Sequence, residues 1–309
     1  MAQPSLQDLI PTGYIDAHHH VWAPESRGDD IGYGWLRDIG AAKPFGDPTP
    51  IQRDYPWDEF LSETPLPPVA SVHVQTDGAL PDPVRETRFV AETAKDHPVA
   101  IVGLADLCSD TLAETLARHA QTPGFRGVRQ IVSYLPDDPA LSFAPRAYLS
   151  DPAWQSGLAA VAQARLRFDL QCYPEQMAQA ADVIAQHPAM PVILDHAGSP
   201  RHGDDAVWRD GIRHLAARRQ VSVKLSGWGM FDPHWTAETI TPMVAYLLDQ
   251  FGPHRLMFGS NFPVEKLARD YDTVLRETVR AVFFTDAQAL PRIFRDNAER
   301  VYGLAQPRA

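Results

Sequence analysis

Short apolar, β-branched runs punctuate the chain at 14–18, 69–75, 99–104, 125–132, 167–171, 192–196, 221–226 and 256–260. Several are unbroken rather than alternating, as expected of parallel strands covered on both faces. Stretches with helical spacing of apolar residues lie between them, at 84–96, 111–121, 152–165, 174–186, 206–218, 241–250 and 271–283. Asp151-Pro152 and Thr241-Pro242 each set a capping side chain ahead of a proline suited to a first turn, so helices are expected to begin there. The alternation predicts an α/β protein, a (β/α)8 TIM barrel forming one domain over 1–309. A doubly wound open sheet competes, but no GxGxxG follows a strand. The long irregular insertion at 21–56 carries Trp22, Tyr33 and Trp35, which predict a packed lid over the end of the first strand.

Charge and composition narrow the partners. The net charge of −11, from 28 basic and 39 acidic residues, comes without a basic block. Neither nucleic acid nor an anionic membrane is therefore an expected partner, and a small molecule is. No stretch approaches the ~18 apolar residues of a spanning helix. The opening MAQPSLQDLIPTGYIDAH lacks a basic segment followed by an apolar run, so no secretion signal is expected. Cys108 and Cys172 form no CxxC, which predicts buried free thiols and a cytoplasmic setting. A homo-oligomer is left open.

The densest candidate chemistry is Ile15-Asp16-Ala17-His18-His19-His20. Residues two apart on a strand share a face, so Asp16, His18 and His20 are expected to point one way and His19 the other. At the C-terminal end of a first barrel strand, two imidazoles would enter the mouth where such folds keep their sites. Asp195-His196-Ala197-Gly198 ends the sixth strand and offers a third imidazole, with Asp195 on the opposite face in a structural role. Three imidazoles suffice for one divalent ion, zinc above all, with a position left for water; they could equally hold a substrate carbonyl without metal. Lys224 interrupts an apolar strand, as a contact to an anionic substrate group or as the partner of a buried carboxylate. Gln75 and Gln171 end strands and are candidates for reading substrate hydroxyls, and Trp22 and Trp228 for pocket walls. His73 reads as a core histidine. No GxSxG follows a strand, which sets serine hydrolase chemistry aside.

IDAHHHVW, YGWL, GFRGVRQIV, FDLQCYPEQM, VILDHAG, VKLSGWGMF, MFGSNFPVEKL and DNAERVYGL, in that order, resemble the second amidohydrolase family, which includes fuconolactonases, rhamnonolactonases and pyrone-dicarboxylate lactonases. The resemblance implies a (β/α)8 fold, a site above the strand ends and opening of a small sugar-derived or carboxylated lactone by water. It assigns His18 and His20 to the first-strand pair, His196 to a middle-strand histidine, and Arg129 to a substrate carbonyl or carboxylate. One departure stands out. Where relatives read GSDxP, this chain has Gly259-Ser260-Asn261-Phe262-Pro263. An amide has no useful basicity near neutrality, so Asn261 can orient water or substrate while a histidine becomes the expected base. Glu265 is expected to be a solvated helix residue. Two alternatives remain: a metal-dependent decarboxylase or amide hydrolase of the same superfamily, and a non-catalytic ligand-binding barrel, motivated by Asn261.

Overall fold

The computed structural model describes residues 5–76 and 80–304, so the ends of the expected domain lie outside the described residues. Eight parallel strands pair in chain order: β1 (Ile15–His19), β2 (Ala70–Val74), β3 (Val99–Leu104), β4 (Phe125–Arg129), β5 (Arg167–Leu170), β6 (Val192–Leu194), β7 (Val221–Leu225) and β8 (Leu256–Phe258). The ring closes just past β8. Asn261 N–H donates to His18 O at 2.7 Å, and His20 N–H donates to Phe262 O at 2.7 Å. The expected (β/α)8 barrel is therefore the observed one.

A helix of about two turns or more follows each strand: α1 (Trp57–Glu63), α2 (Pro83–Thr93), α3 (Leu112–His119), α4 (Pro152–Gln163), α5 (Met177–Ile184), α6 (Ala206–Ala216), α7 (Ala237–Phe251) and α8 (Tyr271–Asp286). α4 begins as expected, with Asp151 capping Ala153 N–H at 2.8 Å and Pro152 in the first turn. α7 does not. It starts at Thr236, whose side chain closes a capping box with Thr239, so Pro242 falls inside the helix. There Thr241 Oγ1 donates to Ala237 O at 2.6 Å, bracing the turn that the proline enters. α1 has no counterpart among the expected helices.

Two apolar layers fill the barrel. Between strands and helices lie large side chains such as Trp154, Phe168 and Trp208. Inside the ring, Ile15, Ala17, Val72, Val74, Val102, Ile193 and Met257 meet Val301, Tyr302 and Leu304 of the closing segment. That segment, with helix α9 (Asn297–Tyr302), plugs the foot of the barrel, where Arg126 and Arg167 donate to the carbonyls of Tyr302 and Val301. Arginines on orphan helix-end carbonyls are favourable. Packing is tight enough that a Cβ on Gly157 of α4 would run into the Leu107 carbonyl. Gly157→Ala is therefore expected to cost about 1–3 kcal/mol, measured as a lowered urea midpoint.

Residues 21–56 fold back on themselves. Trp22 and Tyr55 exchange backbone hydrogen bonds at 3.1 and 2.9 Å, and Trp22 Nε1 donates to Arg53 O at 2.9 Å. Both cysteines are free, with Cys172 buried as expected but Cys108 only half-buried. No described helix is long and apolar enough to cross a membrane.

Candidate active site

The C-terminal rim of the barrel gathers side chains from six strands. At β1 the register slips: Asp16 sits opposite Ser71 and His19 opposite His73, three steps on one strand against two on the other. This bulge breaks the simple alternation. His18 and His20 both turn inward, while Asp16 faces outward, accepting from Ser260 N–H and the Tyr271 hydroxyl at 2.9 Å each. The expectation that Asp16 shares their face is corrected accordingly. His19 lies outside the ring, stacked on Phe60. Gly259 makes the inward turn of His18 possible, since a Cβ there would lie 2.7 Å from that of His18.

His196 joins the pair. Its backbone takes a left-handed φ of 54°, and its ring centroid lies 4.5 Å from that of His18, which is 5.2 Å from His20. Asp195 keeps the alternation of β6, inward like Ile193, so its expected outward placement is corrected; it is His196 whose left-handed backbone leaves the alternation and brings its ring to the same face. Each ring has one nitrogen engaged. His20 Nδ1 is 2.7 Å from Val74 O, His196 Nδ1 is 3.2 Å from Ser226 Oγ, and His18 Nδ1 is 3.3 Å from both Asp195 Oδ1 and Lys224 Nζ. A carbonyl only accepts, so His20 carries its proton on Nδ1 and presents Nε2 bare. Burial holds all three neutral, pushing His20 and His196 down to about 3 and His18 well below its ordinary value.

A layer of charge lies under the rings. Lys224 Nζ is 2.5 Å from Asp169 Oδ2 and 3.0 Å from Asp195 Oδ1, with all three side chains fully buried. Of the two readings of Lys224 in the sequence, the partner of buried carboxylates describes this geometry. Burial lifts Asp169 to about 6 against the pull of Lys224, and the Tyr302 hydroxyl donates to it from below. Burial, the largest single effect, also acts upward on Asp195, but Lys224, His18 and Arg129 together carry it well below the carboxylate range. Arg129 is clamped by Gln171 Oε1 at 3.0 Å, Asp195 Oδ2 at 3.2 Å and Gln75 O at 2.6 Å, while its buried Nε–H has no partner.

Above this floor opens a cavity of about 920 Å³. His20, Trp22, Arg129, Gln171, His196 and Asn261 line it, and the insertion adds Trp35 and Phe45. Trp22 packs edge-on against Trp35, and Trp35 edge-on against Phe45, giving one aromatic wall. His18, Gln75, Lys224 and Trp228 lie behind the lining, buried. His73 packs outside the ring, where its Nδ1 accepts from Val21 N–H at 3.2 Å.

Glu265 overturns its expectation outright. It is 1% exposed, and Oε1 accepts from Gly229 N–H at 2.7 Å and Trp235 Nε1–H at 2.8 Å. Burial pushes its carboxyl up to about 7, opposed by Gly229, Trp235 and Asn261. The acidic-basic pair Glu265-Lys266 looks solvated in sequence, because the donors that hold Glu265 inside, Gly229 and Trp235, come from a distant loop.

The donor chemistry fits a divalent ion. His18, Asp195 and His196 bring one donor atom each within 4.8 Å of one another, and His18 Nε2 is buried without a hydrogen-bond partner. Asp195 is already engaged by Lys224 and Arg129, so the imidazoles are the donors free to bind.

Comparison with known proteins matches this arrangement to a family of hydrolases. The amidohydrolase family profile covers residues 15–304, and the chain belongs to that family. A Sinorhizobium fredii protein named only y4mH is 32% identical over 295 residues, spanning 93% of this chain and 97% of its own. The L-fucono-1,5-lactonase of Burkholderia multivorans is 32% identical over 311 residues, covering 95% and 97%. A crystal structure of a Burkholderia multivorans amidohydrolase with bound zinc superposes with a TM-score of 0.76 at 29% identity, over 94% and 99% of the two chains.

Proposed function

We propose that the protein hydrolyses a small cyclic ester, a sugar-derived or carboxylated lactone, by attack of water on the ring carbonyl. The observation that carries this reading is the meeting of His20, His196, Asn261 and Arg129 at the floor of one cavity. The lactonase named among the relatives supports the same substrate class. His18 and His196, with Asp195 beside them, would hold one divalent ion, zinc by donor preference, which when bound would polarise the carbonyl and acidify water, while His20 keeps Nε2 free of it.

The chain's own groups divide the remaining work. The bare Nε2 of His20 accepts a proton as the water oxygen bonds to the carbonyl carbon. His20 then passes that proton to the ring oxygen as the ester C–O bond breaks, leaving a hydroxy acid. Arg129, held rigid by three acceptors, has a spare Nε–H for the developing oxyanion or for a substrate carboxylate. Trp22 and Trp35 present flat apolar faces to a sugar ring, each anchored by an indole N–H on a backbone carbonyl.

A panel of aldonolactones and pyrone lactones, followed by acid release, tests the reading. At least one is expected to open far above its spontaneous rate, and none doing so would overturn it. Arg129→Met is expected to lower kcat/KM on the best substrate by about 100-fold. Steady-state kinetics on the purified variant would check this, and an unchanged kcat/KM would remove Arg129 from the reaction.

A further inference from the structure

Asn261 and Glu265 sit one helical turn apart, joined by Glu265 N–H donating to Asn261 O at 3.0 Å. Asn261 is held at a left-handed φ of 60°. Glu265 has no ion-pair partner among the described residues, and nearby Arg269 donates to Trp235 O instead. A fully buried carboxylate without a counter-cation is costly and calls for a role. Its Oε1 is fixed by Gly229 and Trp235, leaving Oε2 buried with no hydrogen bond. The Asn261 Nδ2, a donor, is likewise buried with no hydrogen bond. The two orphans are complementary, an amide N–H that only donates and a carboxylate oxygen that only accepts, and Asn261 lines the cavity together with His20.

We propose that Glu265 is a positioning residue for the hydrolysis. By accepting from Asn261 Nδ2 it turns the amide oxygen toward His20, and Oδ1 with His20 Nε2 forms a two-acceptor seat for the attacking water. The proposal rests on the lactone-hydrolase reading. Two acceptors facing one another suit a molecule with two protons to give, and water so held aims a lone pair into the cavity. The reversed amide would set Oδ1 against the carboxylate and let Nδ2 donate to His20 Nε2, consuming the lone pair the reaction needs. Glu265 forbids that arrangement by charge. Asn261 thus works as an oriented acceptor in place of a carboxylate, and the negative charge is moved one turn back, out of contact with substrate.

A reciprocal exchange tests the pair, assayed at pH 8 with the best lactone of the panel. In Glu265→Gln the side-chain oxygen keeps Gly229 and Trp235, so its NH2 faces Asn261 and reverses the amide. The expected result is a fall in kcat of about 100-fold with KM changed less than about threefold. Asn261→Asp alone abuts two buried carboxylates and is expected to lose activity and thermal stability together. In the double variant the new Asp accepts from the new Gln and keeps an oxygen toward His20, so kcat should recover at least about tenfold over Glu265→Gln. A kcat unchanged in Glu265→Gln, or losses that simply multiply in the double variant, would overturn the proposal. Thermal denaturation separates it from the reading beneath it. If wild-type protein opens no lactone, the hydrolase reading fails. The pairing then still stands or falls on whether Glu265→Gln restores the midpoint lowered by Asn261→Asp, and additive shifts would overturn it.

Discussion

Lys224→Met is expected to destabilise the protein by about 3–5 kcal/mol, more than any other single substitution in the barrel interior. The reason is what it leaves behind. Lys224 is the shared cation of Asp169 and Asp195, at 2.5 and 3.0 Å, with no side chain of the three exposed. Methionine fills similar volume, so the loss is one of charge compensation rather than packing. Asp195 retains Arg129 at 3.2 Å, but Asp169 is left with only the Tyr302 hydroxyl. Lysine to arginine would not rescue it, because a planar fork does not fit the seat of a compact ammonium among Asp169, Asp195 and His18. Urea denaturation supplies the measurement. Asp169→Asn added to Lys224→Met removes the stranded charge and should recover part of the loss. The exposed pair of Arg276 and Asp272 serves as a control, where Arg276→Ala should cost under about 1 kcal/mol. A cost for Lys224→Met no larger than the control would show that the interior charges do not depend on one another.

That charge layer also marks where the sequence stops being readable. The strands were legible because parallel strands covered on both faces must be apolar along their length, and β3 appears over the residues its apolar run spans. Period-two arguments work only while the backbone stays regular. The bulge in β1 turns Asp16 outward and His18 inward, and nothing in Ile15-Asp16-Ala17-His18-His19-His20 announces an extra residue. Beyond Leu194 the left-handed backbone at His196 brings that ring onto the inward face that Asp195 already holds by alternation from Ile193. Glu265 was missed for another reason. Its burial depends on Gly229 and Trp235, brought in by the loop after β7, and no local pattern around residue 265 encodes donors that arrive from 30 or more residues away. The pairing of Lys224 with Asp169 likewise joins residues 55 apart, so sequence supplied the two readings and only the closed ring chose between them. The helix at α7 was misread at its start because Thr236 outcompetes Thr241 as a cap, its box with Thr239 satisfying both ends of the first turn.

The protein is expected to lose stability on mild acidification, several kcal/mol per pH unit below about pH 6.5, well above the range where ordinary carboxylates protonate. Seven histidines carry this expectation. His18, His19 and His73 are held well below their ordinary value by burial, His20 and His196 are pushed down to about 3, and His97 and His119 to about 4. In the unfolded chain each titrates near 6.5, so between that pH and about 4 the unfolded state binds more protons than the fold. Stability therefore rises with pH across that window, by roughly 1.4 kcal/mol per unit for each such group. Three carboxyls act in the opposite sense. Asp16 and Asp169, lifted by burial to about 6, and Glu265, lifted to about 7, hold protons in the fold that the unfolded chain releases, so they favour the fold as pH falls toward 4. The histidines outnumber them, and the net slope keeps the histidine sign. Urea midpoints at pH 7.5, 6.5 and 5.5 measure it directly, and equal midpoints would refute it. His119 offers a test outside the cavity, since it stacks on Phe125 and bonds Leu104 O and Thr87 Oγ1 at 2.9 Å each. His119→Gln removes one titrating group and should flatten the slope by about one histidine's share, whatever it does to the midpoint at pH 7.5.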